Sequence, residues 1–178
     1  MPKPVRRIVT GHNEAGRSVI LADGPAPDVL PSMFSPHYWS TLLWLTDRAP
    51  ASNRGNDDAA PAGLRVPTPP QHRGGTVFRI SEIPPDSVHG DTAAIDLASQ
   101  GAHTSAQGRA RHFLFHKTST VDYAIVLEGE IWALLDEGEV PMKPGDVLIQ
   151  RGTHHSWANR SDKICRMAFI LIDAEPLD

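Results

Sequence analysis

One cysteine in 178 residues is the first scarcity in this chain. Cys165 has no partner within the sequence, so no internal disulfide can form, and a reducing, cytoplasmic setting is expected. Its neighbourhood, ICRMAFILI, is apolar, which predicts a buried and inert thiol. Long apolar runs are missing as well. Nowhere do about 18 apolar residues follow one another, so no spanning helix is expected. The basic start, MPKPVRRIVTGHNEAGRS, has no apolar segment behind it to make a secretory signal. Runs of Lys or Arg are absent and the net charge is −4, which argues against nucleic acid or an anionic membrane as partner. No helix-turn-helix pattern or basic arm marks a transcription regulator. Long amphipathic helices are also lacking, because 14 Gly and 16 Pro punctuate the chain.

What remains is a soluble composition, 40% hydrophobic and 21% charged, long enough for one domain with a real core. Short strands are predicted at residues 7–10 and 18–22 around the polar turn GHNEAG, at 39–46, and at 75–83 (GTVFRISEI). Residues 47–73, rich in Pro, Asn, Asp, Ala and Gly, read as a long loop. Residues 86–110 are the least strand-like, with a helical turn or two expected near 92–99. From Arg111 onward the texture changes to short apolar strands between tight turns: HFLFH, DYAIVLEG, EIWALLD, EVPM, DVLIQ, SWANR and ICRMAFILID. Even spacing with Gly/Pro turns is the pattern of a closed antiparallel sandwich or barrel.

Polar residues in this apolar series ask for an explanation. His116 precedes the strand of residues 122–128, and Asp122 stands at its beginning. On one straight strand the two would lie roughly 20 Å apart. If KTST turns the chain, they fall on neighbouring strands at about 5 Å. Further on, PGDVLIQRGTHHSWANRS places His155, Trp157 and Asn159 on one parity, so all three share a face.

These residues resemble the cupin motifs. The second motif, G-x5-P-x-G-x2-H-x3-N, is matched at its end by Gly152, His155 and Asn159; it is one residue short after Gly145, and Gln150 takes the proline position. In the first, G-x5-H-x-H-x(3,4)-E-x6-G, Gly129 fits the closing glycine, Asp122 falls at the glutamate and His116 at the first histidine. Thr118 occupies the second histidine's place. The resemblance covers residues 111–172 closely and the strand at 75–83 plausibly. It implies an all-β, double-stranded β-helix or jelly-roll barrel over residues 74–178, with residues 1–73 as an N-terminal β extension that wraps the barrel or a partner subunit and carries a long Pro-rich loop. It implies a divalent metal, Fe, Zn, Mn or Ni, on His116, Asp122 and His155, with positions open for substrate or water. The alternative is a pocket of polar residues that has dropped its metal. A homodimer and a small-molecule substrate are expected, with no organic cofactor.

Within that frame Asp122 and His155 are the candidate catalytic groups, and Thr118, Tyr123, Arg151 and Trp157 the candidate substrate contacts. Tyr123, Trp132 and Trp157 read first as core aromatics. Arg151 would clamp a substrate carboxylate, or else pair with Asp146 or Asp162. His154 should point away from the interior, His112 inward, and His12, His37, His72, His89 and His103 toward solvent. The expected function is a metal-dependent enzyme acting on a small organic acid or hydroxy-carbonyl compound: a decarboxylase, dehydratase, isomerase or dioxygenase. Without a metal, Asp122 or His155 would serve as general base. The alternative is a non-catalytic cupin that binds a small ligand.

Overall fold

The computed structural model describes residues 2–32, 35–64, 68–70, 72–89 and 111–176. The elements are β1 (Arg6–His12), β2 (Ser18–Pro25), β3 (Asp28–Ser32), β4 (Ser35–Thr46), β5 (Thr76–Ile83), a 3-10 turn (Asp86–Val88), β6 (Thr120–Glu128), β7 (Ile131–Leu135), β8 (Glu139–Met142), β9 (Val147–Arg151), β10 (His155–Ala158) and β11 (Cys165–Asp173). A six-stranded antiparallel sheet, in the order β3-β4-β5-β11-β6-β9, faces a three-stranded sheet β10-β7-β8, and β1-β2 forms a separate hairpin. The strand spacing predicts a closed antiparallel sandwich or barrel, and the sheets observed are those of the all-β jelly roll that the motif resemblance implies.

Alternation along each strand decides which side chains enter the barrel. In β6 the residues Thr120, Asp122, Ala124 and Val126 are buried, while Tyr123 between them is exposed. Ala124, Val126, Val77 and Phe169 from the large sheet pack against Ile131 and Trp157 from the small one. Each fully buried side chain of this size contributes on the order of 1.5–3 kcal/mol. The outer face of the large sheet carries a second cluster, Leu43, Ile80 and Ala168 with Val5, so the N-terminal segment covers the β4–β5 end. Toward the β9 edge that face is bare, with Val147 57% and Ile149 54% exposed.

Two expectations needed correction. HFLFH is not a strand. The amide of Phe115 donates to the His112 carbonyl at 3.1 Å, turning the chain so that Phe115 is buried with Leu134 and Ala158 behind the small sheet. Only His116 of this stretch pairs, in an isolated bridge to His155. β3 was not foreseen; its Pro31 is tolerated because β3 is an edge strand, where a missing donor costs little. The expected helical turn near 92–99 lies outside the described residues. Gly129 closes the β6–β7 turn at φ 78°, and any Cβ there would stand 2.7 Å from the Ile164 carbonyl oxygen, so only glycine fits. Cys165 is buried and its thiol is pushed up to about 12, chiefly by desolvation, as an inert core thiol should be.

Candidate functional site

Two histidines meet where the two sheets approach. The His116 amide donates to the His155 carbonyl at 2.9 Å and the reverse bond is 2.8 Å, so the pair is a two-rung backbone bridge. Their rings lie 4.6 Å apart, centroid to centroid. Each Nδ1 donates to a main-chain carbonyl two residues upstream, His116 to Leu114 at 2.6 Å and His155 to Thr153 at 3.0 Å. A neutral imidazole that donates through Nδ1 keeps its lone pair on Nε2. Burial holds both rings neutral; for His155 desolvation, with His116 adding, brings the pKa down to about 3. Trp157 walls the site, its ring 5.9 Å from His155 and 5.5 Å from Phe169.

On the same inner face β6 brings in Asp122, 6% exposed. Its Oδ1 is buried with no hydrogen-bond partner. Desolvation raises its pKa to about 6, against opposing contributions from the Thr120 hydroxyl and the Arg79 charge. The hydroxyls of Thr120 and Thr118 are 2.7 Å apart. Both threonines border an outer hollow of about 380 Å³, so a chain of hydroxyls leads from Asp122 toward the surface. Across the strand pair, Gln150 faces Asp122 and donates to the Thr153 carbonyl, the same oxygen that fixes His155. The residue in the motif's proline position therefore helps to orient a histidine.

A profile of the Cupin domain family matches residues 103–172. Over 177 residues, 97% of this chain and 80% of the relative, the sequence is 32% identical to phomopsin biosynthesis cluster protein C' of Diaporthe leptostromiformis. This chain is a cupin. It is also 29% identical to the cupin-domain-containing oxidoreductase fogC of Aspergillus ruber, over 95% of this chain and 72% of that protein. Among solved structures, a putative ethanolamine utilization protein q from Salmonella typhimurium aligns over 98% of this cupin and 100% of its own chain, with a TM-score of 0.46 and 12% identity.

The cupin motifs imply a metal on His116, Asp122 and His155. Among the described residues no three His, Cys, Asp or Glu groups come close enough to hold one ion. The two histidines stand together, but Asp122, a methylene shorter than the family's glutamate, does not complete the set, and Thr118 is engaged with Thr120. The described residues do not complete that three-residue set, and no step of the proton transfer proposed below is routed through a metal.

The predicted substrate contacts divide. Thr118 and Trp157 lie at the site. Tyr123 has the opposite parity to Asp122 and stands on the outer face, 41% exposed. Arg151, on the outward parity of β9, is exposed and borders the outer hollow with Lys117. Neither Asp146 nor Asp162 forms an ion pair with it among the described residues. His112 does not join His116 either: its Nδ1 meets the Ser156 hydroxyl at 2.6 Å, on the far side of the small sheet, with Nε2 3.4 Å from Asp86. His154 points outward, 3.3 Å from Asp136. His89, expected in solvent, is buried beside Phe113, while His12, His37 and His72 are exposed; His103 lies outside the described residues. Asn159 shares the parity of His155 but is structural. Its side-chain amide donates to the carbonyls of Ile83 and Lys163, and its backbone N–H to Asp86.

Sequence reasoning missed Arg79. It lies on β5 with the inward parity of Val77 and Ile83, and its charge reaches both Asp122 and His116. The signal was available: a permanent cation stands at an inward position of GTVFRISEI, where an apolar residue is expected.

No helix among the described residues is long and apolar enough to cross a membrane.

Proposed function

We propose that this cupin is an enzyme acting on a small organic molecule held inside the barrel, with Asp122 exchanging a proton with the substrate. The observation that carries this reading is the Asp122 Oδ1 atom. It is a buried carboxylate oxygen with no partner, on the inner face that two neutral imidazoles also address. A buried acceptor left unsatisfied costs about 1–3 kcal/mol, which a substrate hydroxyl or acidic C–H side would recover. Ionised, Asp122 takes a proton from carbon beside a carbonyl; protonated, it returns one. The Nε2 lone pairs of His116 and His155 accept hydrogen bonds from substrate hydroxyls, and Trp157 closes one wall against water. This serves isomerisation, dehydration or decarboxylation.

A second reading is favoured by the relatives. The Aspergillus ruber relative is a cupin-domain-containing oxidoreductase, and the adjacent Nε2 lone pairs of His116 and His155 are the kind of donors a divalent metal takes.

The test is proton exchange. The full chain is incubated in deuterated water with hydroxy and keto acids, and loss of carbon-bound proton signal is followed by NMR. The expected outcome is exchange in at least one compound, slowed by a factor on the order of 10²–10⁴ in Asp122→Asn. A rate that Asp122→Asn leaves unchanged removes Asp122 from the chemistry. Oxidation of a compound, dependent on added Fe(II) and lost in His155→Ala, would select the second reading.

A further inference from the structure

The outer hollow of about 380 Å³ lies where the large sheet ends, and main-chain contacts fix its walls. Lys117, Thr118 and Ser119 line one side, Arg151 and Gly152 another, and Glu175 borders it beyond β11. His116, one residue before Lys117, is held in the reciprocal bridge to His155. The Ala174 amide donates to the Ser119 carbonyl at 3.1 Å, and Val121 pairs with Arg151 across β6 and β9. Gly152, at φ 59°, brings its turn so near that an added Cβ would stand 3.4 Å from the Thr118 carbonyl oxygen. The hollow is therefore a shape that the fold maintains, and it has the size of a small-molecule site.

Charge in the hollow runs against the charge of the whole molecule. The chain carries a net −4, yet Lys117 and Arg151 bring two cations here against the one carboxylate of Glu175. Among the described residues neither cation forms an ion pair, with Glu175 or with any other carboxylate. A planar guanidinium matches two oxygens of a carboxylate or phosphate in parallel hydrogen bonds, and an ammonium beside it serves as a point charge. A second observation sets the polarity of the wall. The Thr118 hydroxyl, on a buried residue, lies 2.7 Å from that of Thr120, and the Thr120 hydroxyl in turn stabilises the Asp122 carboxylate. A hydroxyl stabilises a carboxylate by donating to it, so Thr120 donates to Asp122 and Thr118 to Thr120. The Thr118 oxygen is left with a lone pair, so this wall of the hollow offers an acceptor.

We propose that the hollow is a binding site, separate from the barrel interior, for a small molecule that carries a carboxylate or phosphate group beside a hydroxyl. Arg151 and Lys117 hold the oxyanion, and the Thr118 oxygen takes the hydroxyl. Arg151, for which the sequence left a substrate clamp and an ion pair both open, is thereby a clamp, and it faces the outer hollow. The hydroxyls of Thr118 and Thr120 join this site to Asp122. The inference stands on the hollow alone and does not rest on proton transfer at Asp122.

The test uses pairs that keep the hydroxyl and differ in charge: glycolate against glycolamide, and glycerol 3-phosphate against glycerol. Each is titrated into the full chain at constant ionic strength while NMR follows the backbone amides of Lys117, Ser119 and Gly152. At least one anion is expected to shift these amides saturably, and to bind about tenfold or more tightly than its neutral partner. Saturation by glycolate alone makes the ligand an organic acid, and by glycerol 3-phosphate alone a phosphate ester; either supports the site. Arg151→Met is expected to weaken the anion by about tenfold, and Arg151→Lys, which keeps the charge but not the fork, by less. Glu175→Gln should bind it at least as tightly as the wild type. No saturable shift with either anion, or equal affinity for the neutral partners, overturns the proposal, and neither result needs a variant. Anion binding that survives unchanged in folded Arg151→Met and in folded Lys117→Met overturns it too. Binding at the hollow with no proton exchange in any compound would leave this inference standing and sink the proton-transfer reading. Exchange that depends on Asp122, in a chain whose hollow binds no anion, would do the reverse.

Discussion

The two faces of the six-stranded sheet are made by the same strands and have been put to opposite uses. The inner face is apolar over most of its area, yet it carries Asp122 and Arg79 where burial is costly. The outer face is packed beneath the N-terminal segment at β4–β5 but leaves Val147 and Ile149 bare at β9. Polar groups inside and apolar groups outside are both unfavourable for a barrel seen only as a folding problem. The inner departures lie on one face, where the Arg79 charge reaches both Asp122 and His116, and the outer ones have no such partners in common. Convergence is what distinguishes a site from a surface.

The largest test of this contrast is packing. Met167, fully buried on the inner face, should lose about 2–5 kcal/mol of stability when changed to Ala, read by urea unfolding. The next is charge. The rise of the Asp122 pKa from 3.8 to about 6 means that the folded chain holds this proton more tightly than the unfolded one. The ionised group therefore costs stability above pH 6, by about 3 kcal/mol, and nothing below about pH 4. Asp122→Asn should be more stable than the wild type by up to that amount at pH 7, with the gain gone by pH 4. His155 runs the opposite way. Its folded pKa is depressed to about 3, so its contribution is complete above about pH 6.5 and is lost as the pH falls toward 3. His155→Gln should flatten that acid limb in unfolding midpoints measured between pH 4 and 7. If Asp122 is the working base, kcat/KM should climb through pH 6 to a plateau. The smallest effect belongs outside: Ile149→Ala should change stability by no more than about 0.5 kcal/mol, a tenth of the inner-face extreme.

Much of this was legible in the sequence, for physical reasons. The period-2 alternation of TVDYAIVLE specified β6 and its inward residues, because a strand has only two faces. The end of the second motif placed His155, Trp157 and Asn159 together. Other features were hidden. HFLFH has strand composition, but one turn bond and the burial of Phe115 outweigh that propensity, and no local pattern records such a competition. His112 was assigned inward by extending a strand that does not exist. Tyr123, a candidate substrate contact, takes the outer face, because adjacency to the inward Asp122 along a strand guarantees opposite faces. Arg79 was readable by the same parity rule, but it lies outside both cupin motifs. The failure of His116, Asp122 and His155 to close on one ion depends on side-chain reach across strands, which spacing along the chain does not encode.

The reciprocal backbone bridge between His116 and His155 has a consequence for how such a protein can change. The separation of the two positions is written in main-chain hydrogen bonds, and their tilt in carbonyls two residues upstream, so the frame survives whatever side chains it bears. Lineages can exchange an imidazole for an amide, a hydroxyl or a carboxylate there without relearning how to fold. Chemistry at this corner is therefore a replaceable part mounted on a fixed bracket.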